Sequence, residues 1–212
     1  MTAKSVGTGK FLFILLWVGI LLSFLLGLCS LVYAIDLDWY LEYVANFEIG
    51  ISILSIFFLI VTFGLFFIWI FRVHRDFKQI SNSYPVSPRA ALARILIPIY
   101  NLVGLWTLYR DMAHFLIERE SKELRSQGWK LKSMIPYYYF PFLLSNVLNR
   151  IIIRSDERLA ILEIVSFGVD IFLNMMYIRM VVLISKGIVT ANEVKALTLS
   201  QQVEPSEYKE SL

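Results

Sequence analysis

The chain is short of the residues that carry most protein chemistry. Its 212 residues include one cysteine, two histidines and only 17% charged side chains. A single cysteine, Cys29, excludes an internal disulfide and any cysteine-held metal cluster. His74 and His114 are too few for most catalytic metal sites, and no His-Glu-x-x-His pattern accompanies them. Gly7-Thr8-Gly9-Lys10 lacks the glycine spacing of a phosphate-binding loop and follows no strand. No Asn-x-Ser/Thr acceptor occurs, and no nucleophile can be matched with a base. The sequence therefore points away from an enzyme, from a metal or organic cofactor, and from nucleic acid as a partner.

What replaces charge is apolar surface. Hydrophobic residues make up 58% of the chain and aromatics 15%, whereas a soluble domain carries about half apolar and about a quarter charged residues. Such an excess needs lipid to cover it, and several runs reach the roughly 20 residues that a helix needs to cross a bilayer. The expected fold is an all-α integral membrane protein. Its expected spans are residues 11–34, 49–71, 133–153 and 158–185, followed by a mobile polar tail over 187–212. The first run exceeds the roughly 7–15 apolar residues of a signal peptide, so it is expected to remain as a span. A lipoprotein site at Cys29 is weaker, because Leu28 stands where a small residue is wanted. Gly19, Ser23 and Gly27 recur every fourth residue and give the first span a face of small side chains. Such a face suits close helix packing within the chain more than a dimer interface. Loops and tails between the spans are too short to bury a core of their own.

The stretch that decides the topology is RILIPIYNLVGLWTLYRDMAHFLIERE, beginning at Arg94. If it does not cross, fifteen lysines and arginines fall on the side of the termini and only Arg154 and Arg158 on the other. If it crosses, nine fall on one side and eight on the other. Cytoplasmic loops carry the excess of Lys and Arg, so the expectation is four spans in two hairpins with both termini cytoplasmic in the plasma (cell inner) membrane. Residues 95–118 then form a cytoplasmic-side amphipathic or re-entrant helix joining the hairpins. Asn101, Gly104, Thr107, Asp111, His114 and Glu118 share one face at steps of three and four. Leu102, Leu105, Trp106, Tyr109, Met112 and Leu116 make the opposite face, which suits a helix lying in the membrane interface. Pro98 fits a break before it.

Three phrases carry a resemblance: FIWIFRVHRDFKQI, IPIYNLVGLWTLYRDM and FLLSNVLNR. They resemble the motifs of a family of bacterial membrane proteins known as domain of unknown function 4328. On that resemblance the matching positions are Trp69, Arg72, Arg75, Pro98, Asn101, Leu102, Arg110, Asp111, Ser145 and Arg150. Tryptophans usual before the proline are missing in ALARILIP. The family has no established activity, so the resemblance implies an architecture and no reaction.

Polar residues inside spans are costly and mark candidate sites. Glu163, Asp170 and Asn174 share one face of the last span. Folding the final hairpin about Asp156 sets Arg150 level with Glu163, so an Arg150–Glu163 pair is expected, with Asn146 and Asn149 close by. Asp170 lies near mid-bilayer with no arginine at its depth, and is the candidate proton or cation site. Pro98, Asn101, Arg110, Asp111 and His114 make up the candidate interfacial motif. The leading expectation is a membrane scaffold or regulatory protein that meets anionic lipid, a second copy or another membrane protein through its basic face. The competing one is a transporter or channel subunit built on Asp170.

Overall fold

The structure is a computed structural model that describes residues 3–203; the side chains of residues 98–102, 199 and 201–203 lie outside the described set. Every regular element among the described residues is helical. Helix α1 spans Lys4–Ile35, the single turn α2 Leu37–Trp39, and α3 Ala45–Ile80, with a π-helical turn over Tyr40–Val44 between the last two. Helices α4 (Pro88–Leu96), α5 (Pro98–Ile117), α6 (Lys122–Arg154) and α7 (Ala160–Val203) follow.

Local chemistry sets these boundaries. Asp36 leaves the helical conformation and accepts a bond from the backbone N–H of Trp39 at 2.9 Å, so α1 ends and α2 begins there. After α3, Ser87 caps α4 by accepting from the Ala90 N–H at 3.2 Å, with Pro88 occupying the first turn, where its missing N–H costs nothing. Ile97 is extended (φ −82°, ψ 116°), as the residue before a proline prefers, and Pro98 starts α5. Pro136 and Pro141 both lie inside α6 without ending it.

Among the described residues, three helical stretches are long and apolar enough to cross a membrane: Lys4–Ile35, Leu37–Ile80 and Ala160–Thr198. Helix α6 has the length but is more polar, because Pro136, Tyr137, Tyr138, Tyr139, Pro141, Asn146 and Asn149 interrupt its apolar half. The polar stretch after Lys186, read from sequence as a mobile tail, is instead helical through Val203. Buried Ile184, Ile188 and Ala191 hold it, and Lys195 donates to the carbonyl of Gln79 at 2.6 Å. Residues 204–212 of that expected tail lie outside the described residues.

The chain divides into two compact units. An apolar unit takes residues 10–67 and 134–181, and a basic unit takes residues 1–9, 68–133 and 182–212. Fifteen of the twenty lysines and arginines belong to the basic unit, giving it a formal charge of +6, while the apolar unit carries −3.

In the apolar unit Leu22, Leu26 and Ile51 form a core with Val18, Leu25, Phe58 and Phe167 around it. The small-residue face of α1 is used inside the chain. A Cβ on Gly19 would lie 3.5 Å from the Asn174 side chain, and one on Gly27 would lie 3.6 Å from Phe167, so α7 lies against that face. Large apolar side chains such as Phe11, Ile14, Ile53, Phe57, Ile60 and Phe63 are exposed on the outside of α1 and α3.

The basic unit overturns the expectation that the segments outside the spans cannot bury a core. Trp69, Ile70, Val73, Phe77, Tyr84, Leu108, Met112, Leu116, Leu124 and Leu131 are fully or almost fully buried there. Several short segments, each too small alone, pool their apolar faces. The consequence for α5 is direct. Its Leu105, Tyr109, Met112 and Leu116 face, assigned from the pattern to the membrane interface, is covered by protein. Phe115 packs edge-on against Phe77 at 5.0 Å and Tyr84 at 4.9 Å between ring centroids. Two glycines permit this packing. A Cβ on Gly104 would collide with the carbonyl oxygen of Arg94, and one on Gly128 would sit 2.8 Å from that of Ala113.

Candidate functional site

The exposed side of α5 borders a cleft of about 540 Å³ in the basic unit. Arg110, Asp111, His114, Phe115 and Glu118 line it from α5 and its end, and Ser83, Pro85, Arg119 and Lys132 complete the wall. Asp111 is bound to Arg94 Nη1 at 2.7 Å, which neutralises it and ties α4 to α5. The Arg119 guanidinium carbon stands 4.2 Å from the centroid of the Phe115 ring, a cation–π contact. Its Nη2 is buried and has no hydrogen-bond partner among the described residues. Partial burial pulls the Arg119 pKa below its ordinary value, with the neighbouring Glu118 charge opposing that shift. Lys132 lies over the Trp129 ring, its Nζ 5.0 Å from the centroid.

Behind the cleft, His74 and Tyr84 form a buried pair, Tyr84 Oη to His74 Nδ1 at 2.7 Å. His74 follows the apolar run that ends at Phe71. Its burial, aided by the Arg94 charge, holds the imidazole pKa down to about 3, so the ring stays neutral. Burial likewise raises the Tyr84 phenol, with Asp111 adding to the shift and Arg94 opposing it.

A second cavity, of about 350 Å³, lies in the apolar unit. Gly19, Ser23, Ser55, Thr62, Ser145, Asn149, Asp170 and Asn174 supply its small and polar lining. Asp170 Oδ1 accepts from Ser145 Oγ at 2.8 Å, and Asn149 Nδ2 donates to the same Ser145 Oγ at 3.3 Å. Ser166 Oγ donates to Asn149 Oδ1 at 3.3 Å, so four side chains of α6 and α7 form one hydrogen-bonded line.

The apolar unit is also clasped around Arg158. Its Nη2 lies 2.7 Å from Glu48 Oε1 and 3.0 Å from Glu163 Oε2, while Nη1 donates to Tyr40 Oη at 2.6 Å. Tyr40 in turn donates to Glu48 at 2.7 Å, and Ser30 to Glu163 at 2.7 Å. Tyr33 and Tyr40 flank the guanidinium, its carbon 4.4 and 5.0 Å from their ring centroids. The π turn carries Tyr40 to this place. One extra residue in the helical turn re-aims a side chain, and such bulges gather where a side chain is needed out of register.

The family model described as Domain of unknown function (DUF4328) matches residues 37–194. The chain belongs to this family. Neither a curated protein nor a solved structure matches it.

The DUF4328 match contains the α5 cleft, the Asp170 line and Arg158. Of the interfacial motif read from sequence, Arg110, Asp111 and His114 come together in the cleft, while the side chains of Pro98 and Asn101 lie outside the described residues. Of the intramembrane set, Asp170 and Asn174 share the cavity lining. Asn146 instead bonds back to the Phe142 carbonyl at 2.7 Å on an exposed part of α6. The expected Arg150–Glu163 pair is replaced by Arg158–Glu163, because α7 starts at Ala160 and the five residues before it fold Arg158 back beside Glu163. Arg150 is exposed. Sequence reasoning missed the Arg158 clasp, although one signal was present. Residues 35–48 hold four acids, Asp36, Asp38, Glu42 and Glu48, and no lysine or arginine.

Proposed function

We propose that this DUF4328 protein is a four-span membrane scaffold or regulatory protein whose working surface is the cleft on α5, facing the cytoplasm. The observation that carries the reading is that cleft. A separately cored, positively charged unit presents an open, charged hollow made from the family-matching stretch, while the other unit exposes apolar side chains suited to lipid. Helix α6 serves as the fourth span. Its exposed Tyr137, Phe140, Leu144, Val147 and Ile151 recur at steps of three and four, the pattern of one lipid-facing stripe. The +6 charge of the basic unit supports cytoplasmic termini in the plasma membrane by the positive-inside rule.

The test is topological and functional together. In a Cys29→Ser background, Ser121→Cys in the α5–α6 connection is expected to resist an impermeant thiol reagent applied to intact cells. A photo-crosslinking residue in place of His114 is expected to give one reproducible adduct, with a second copy or another membrane protein. Labelling of position 121 from outside overturns the reading, and so does the absence of any adduct from position 114.

A second reading, a transporter or channel subunit, is favoured by the Asp170 cavity alone. It predicts proton or cation flux in liposomes that Asp170→Asn abolishes. Absence of flux from the intact protein removes it.

A further inference from the structure

The cleft on α5 has an unbalanced charge and an unused donor. Arg110, Arg119 and Lys132 stand on its wall as cations, with Glu118 as the free carboxylate, since Asp111 is occupied by Arg94. The balance is two positive charges. No carboxylate or carbonyl among the described residues accepts from the buried Nη2 of Arg119. Leaving a buried guanidinium N–H unmade is costly, more so than for a neutral donor. Phe115, buried between Phe77 and Tyr84, holds the guanidinium from one side and so limits where it points. The remaining wall supplies the His114 ring and the Ser83 hydroxyl, which shares a 2.7 Å hydrogen bond with Ser81 Oγ and is free to donate into the cleft when Ser81 is the donor.

We propose that this cleft binds a phosphate group, with Arg119 and Lys132 as its principal partners and Arg110 at the mouth. This inference rests on the reading of the α5 cleft as the working surface and names what that surface recognises. Phosphate matches the site on three counts. It is a monoanion as a diester and close to a dianion as a monoester, and either faces two net positive charges. It has several acceptor oxygens for donors converging from different elements, and arginine and lysine are the residues that bind it best. The cleft volume of about 540 Å³ also leaves room for the group that the phosphate esterifies. Two sources share this chemistry: the headgroup of an anionic phospholipid and a soluble phosphate ester.

The test uses the full chain in nanodiscs of neutral phosphatidylcholine, titrated calorimetrically with inorganic phosphate and with glycerol 3-phosphate. Saturable binding in the micromolar to millimolar range is expected. Arg119→Gln and Lys132→Gln are each expected to weaken it at least tenfold, while Arg150→Gln, an exposed arginine of the apolar unit, leaves it unchanged. Thermal melts of all three variants identify any that are merely unfolded, and the double Arg110→Gln/Lys132→Gln variant stands in if Arg119→Gln fails to fold. Repeating the titration in phosphatidylglycerol nanodiscs separates the sources. Loss of binding there means that the lipid phosphate already occupies the cleft, and retention means a soluble ester; either supports the phosphate site. No saturable binding in neutral nanodiscs, or equal affinity in folded variants and the unaltered protein, overturns it. A negative titration alongside a cytoplasmic Ser121 and a His114 adduct would remove the phosphate site and leave the scaffold reading standing.

Discussion

Replacing Arg158 with methionine is the sharpest test of how the apolar unit is held. Methionine keeps much of the length and packing, so the loss reads the charge and its hydrogen bonds. The side chains of Glu48 and Glu163 are only 17% and 18% exposed. Without Arg158 both carboxylates remain there, and the Tyr40 hydroxyl oxygen loses the guanidinium N–H it accepts from. Breaking a fully buried ion pair costs about 3–5 kcal/mol. Since Arg158 itself is 22% exposed, water relieves part of that, and a loss of about 2–4 kcal/mol is expected. For a chain of this size about 1 kcal/mol moves Tm by about 2–4 °C, so the fall is about 5–15 °C. The assay is thermal unfolding in one fixed detergent, with Arg150→Met as the control, expected within about 0.5 kcal/mol of the unaltered protein as an exposed substitution. Arg158→Lys should recover less than half of the loss, because one ammonium cannot reach Glu48, Glu163 and the Tyr40 hydroxyl together. A double-mutant cycle with Glu163→Gln should show coupling well above the scatter of distant sites, about 0.3–0.5 kcal/mol. If Arg158→Met and Arg150→Met melt together, or Arg150→Met melts lower, the clasp is not what joins these helices.

The basic unit offers three further checks. Gly104→Ala is expected to destabilise by about 2–3 kcal/mol, since its Cβ meets the Arg94 carbonyl, and unchanged melting would refute that approach of α4 to α5. Tyr84→Phe removes the bond to His74 Nδ1 and should cost about 1–3 kcal/mol in denaturant melts; a neutral effect would mean that water serves that nitrogen equally well. His74 gives a pH dependence of known sign. Its folded pKa of about 3 lies below the ordinary 6.5, so the unfolded chain binds the extra proton between these values. Stability is therefore full above pH 6.5 and falls as the pH drops, by about 2 kcal/mol at pH 5 from this group. His74→Gln should flatten the slope between pH 7 and 5, and an unchanged slope would show that other groups set it.

The limits of sequence reasoning here have a physical origin. Composition and run length sufficed for an all-helical chain with membrane-length helices, because burying or solvating that much apolar surface leaves few alternatives. The break at Ile97–Pro98 was legible for the same kind of reason: a proline acts on its own neighbours. What failed were inferences about which surface covers a given face. The stripe of Leu105, Tyr109, Met112 and Leu116 asks only for an apolar neighbour, and lipid and protein satisfy it equally in the pattern. Here protein covers it, and the stripe is buried in the same unit as Phe77, Tyr84, Leu124 and Leu131. Likewise Glu163 asks for a cation, and the hairpin offered Arg150 on the facing helix and Arg158 in the connection, five residues before Glu163. The loop geometry chose the second, and it also recruited Glu48 and Tyr40, more than a hundred residues away. The same reasoning explains why the α5 cleft could be half read. Arg110, Asp111 and His114 share a helical face, which periodicity reveals. Arg119, Lys132 and Ser83 join them only through folding, and they carry the donors on which the proposed phosphate site rests.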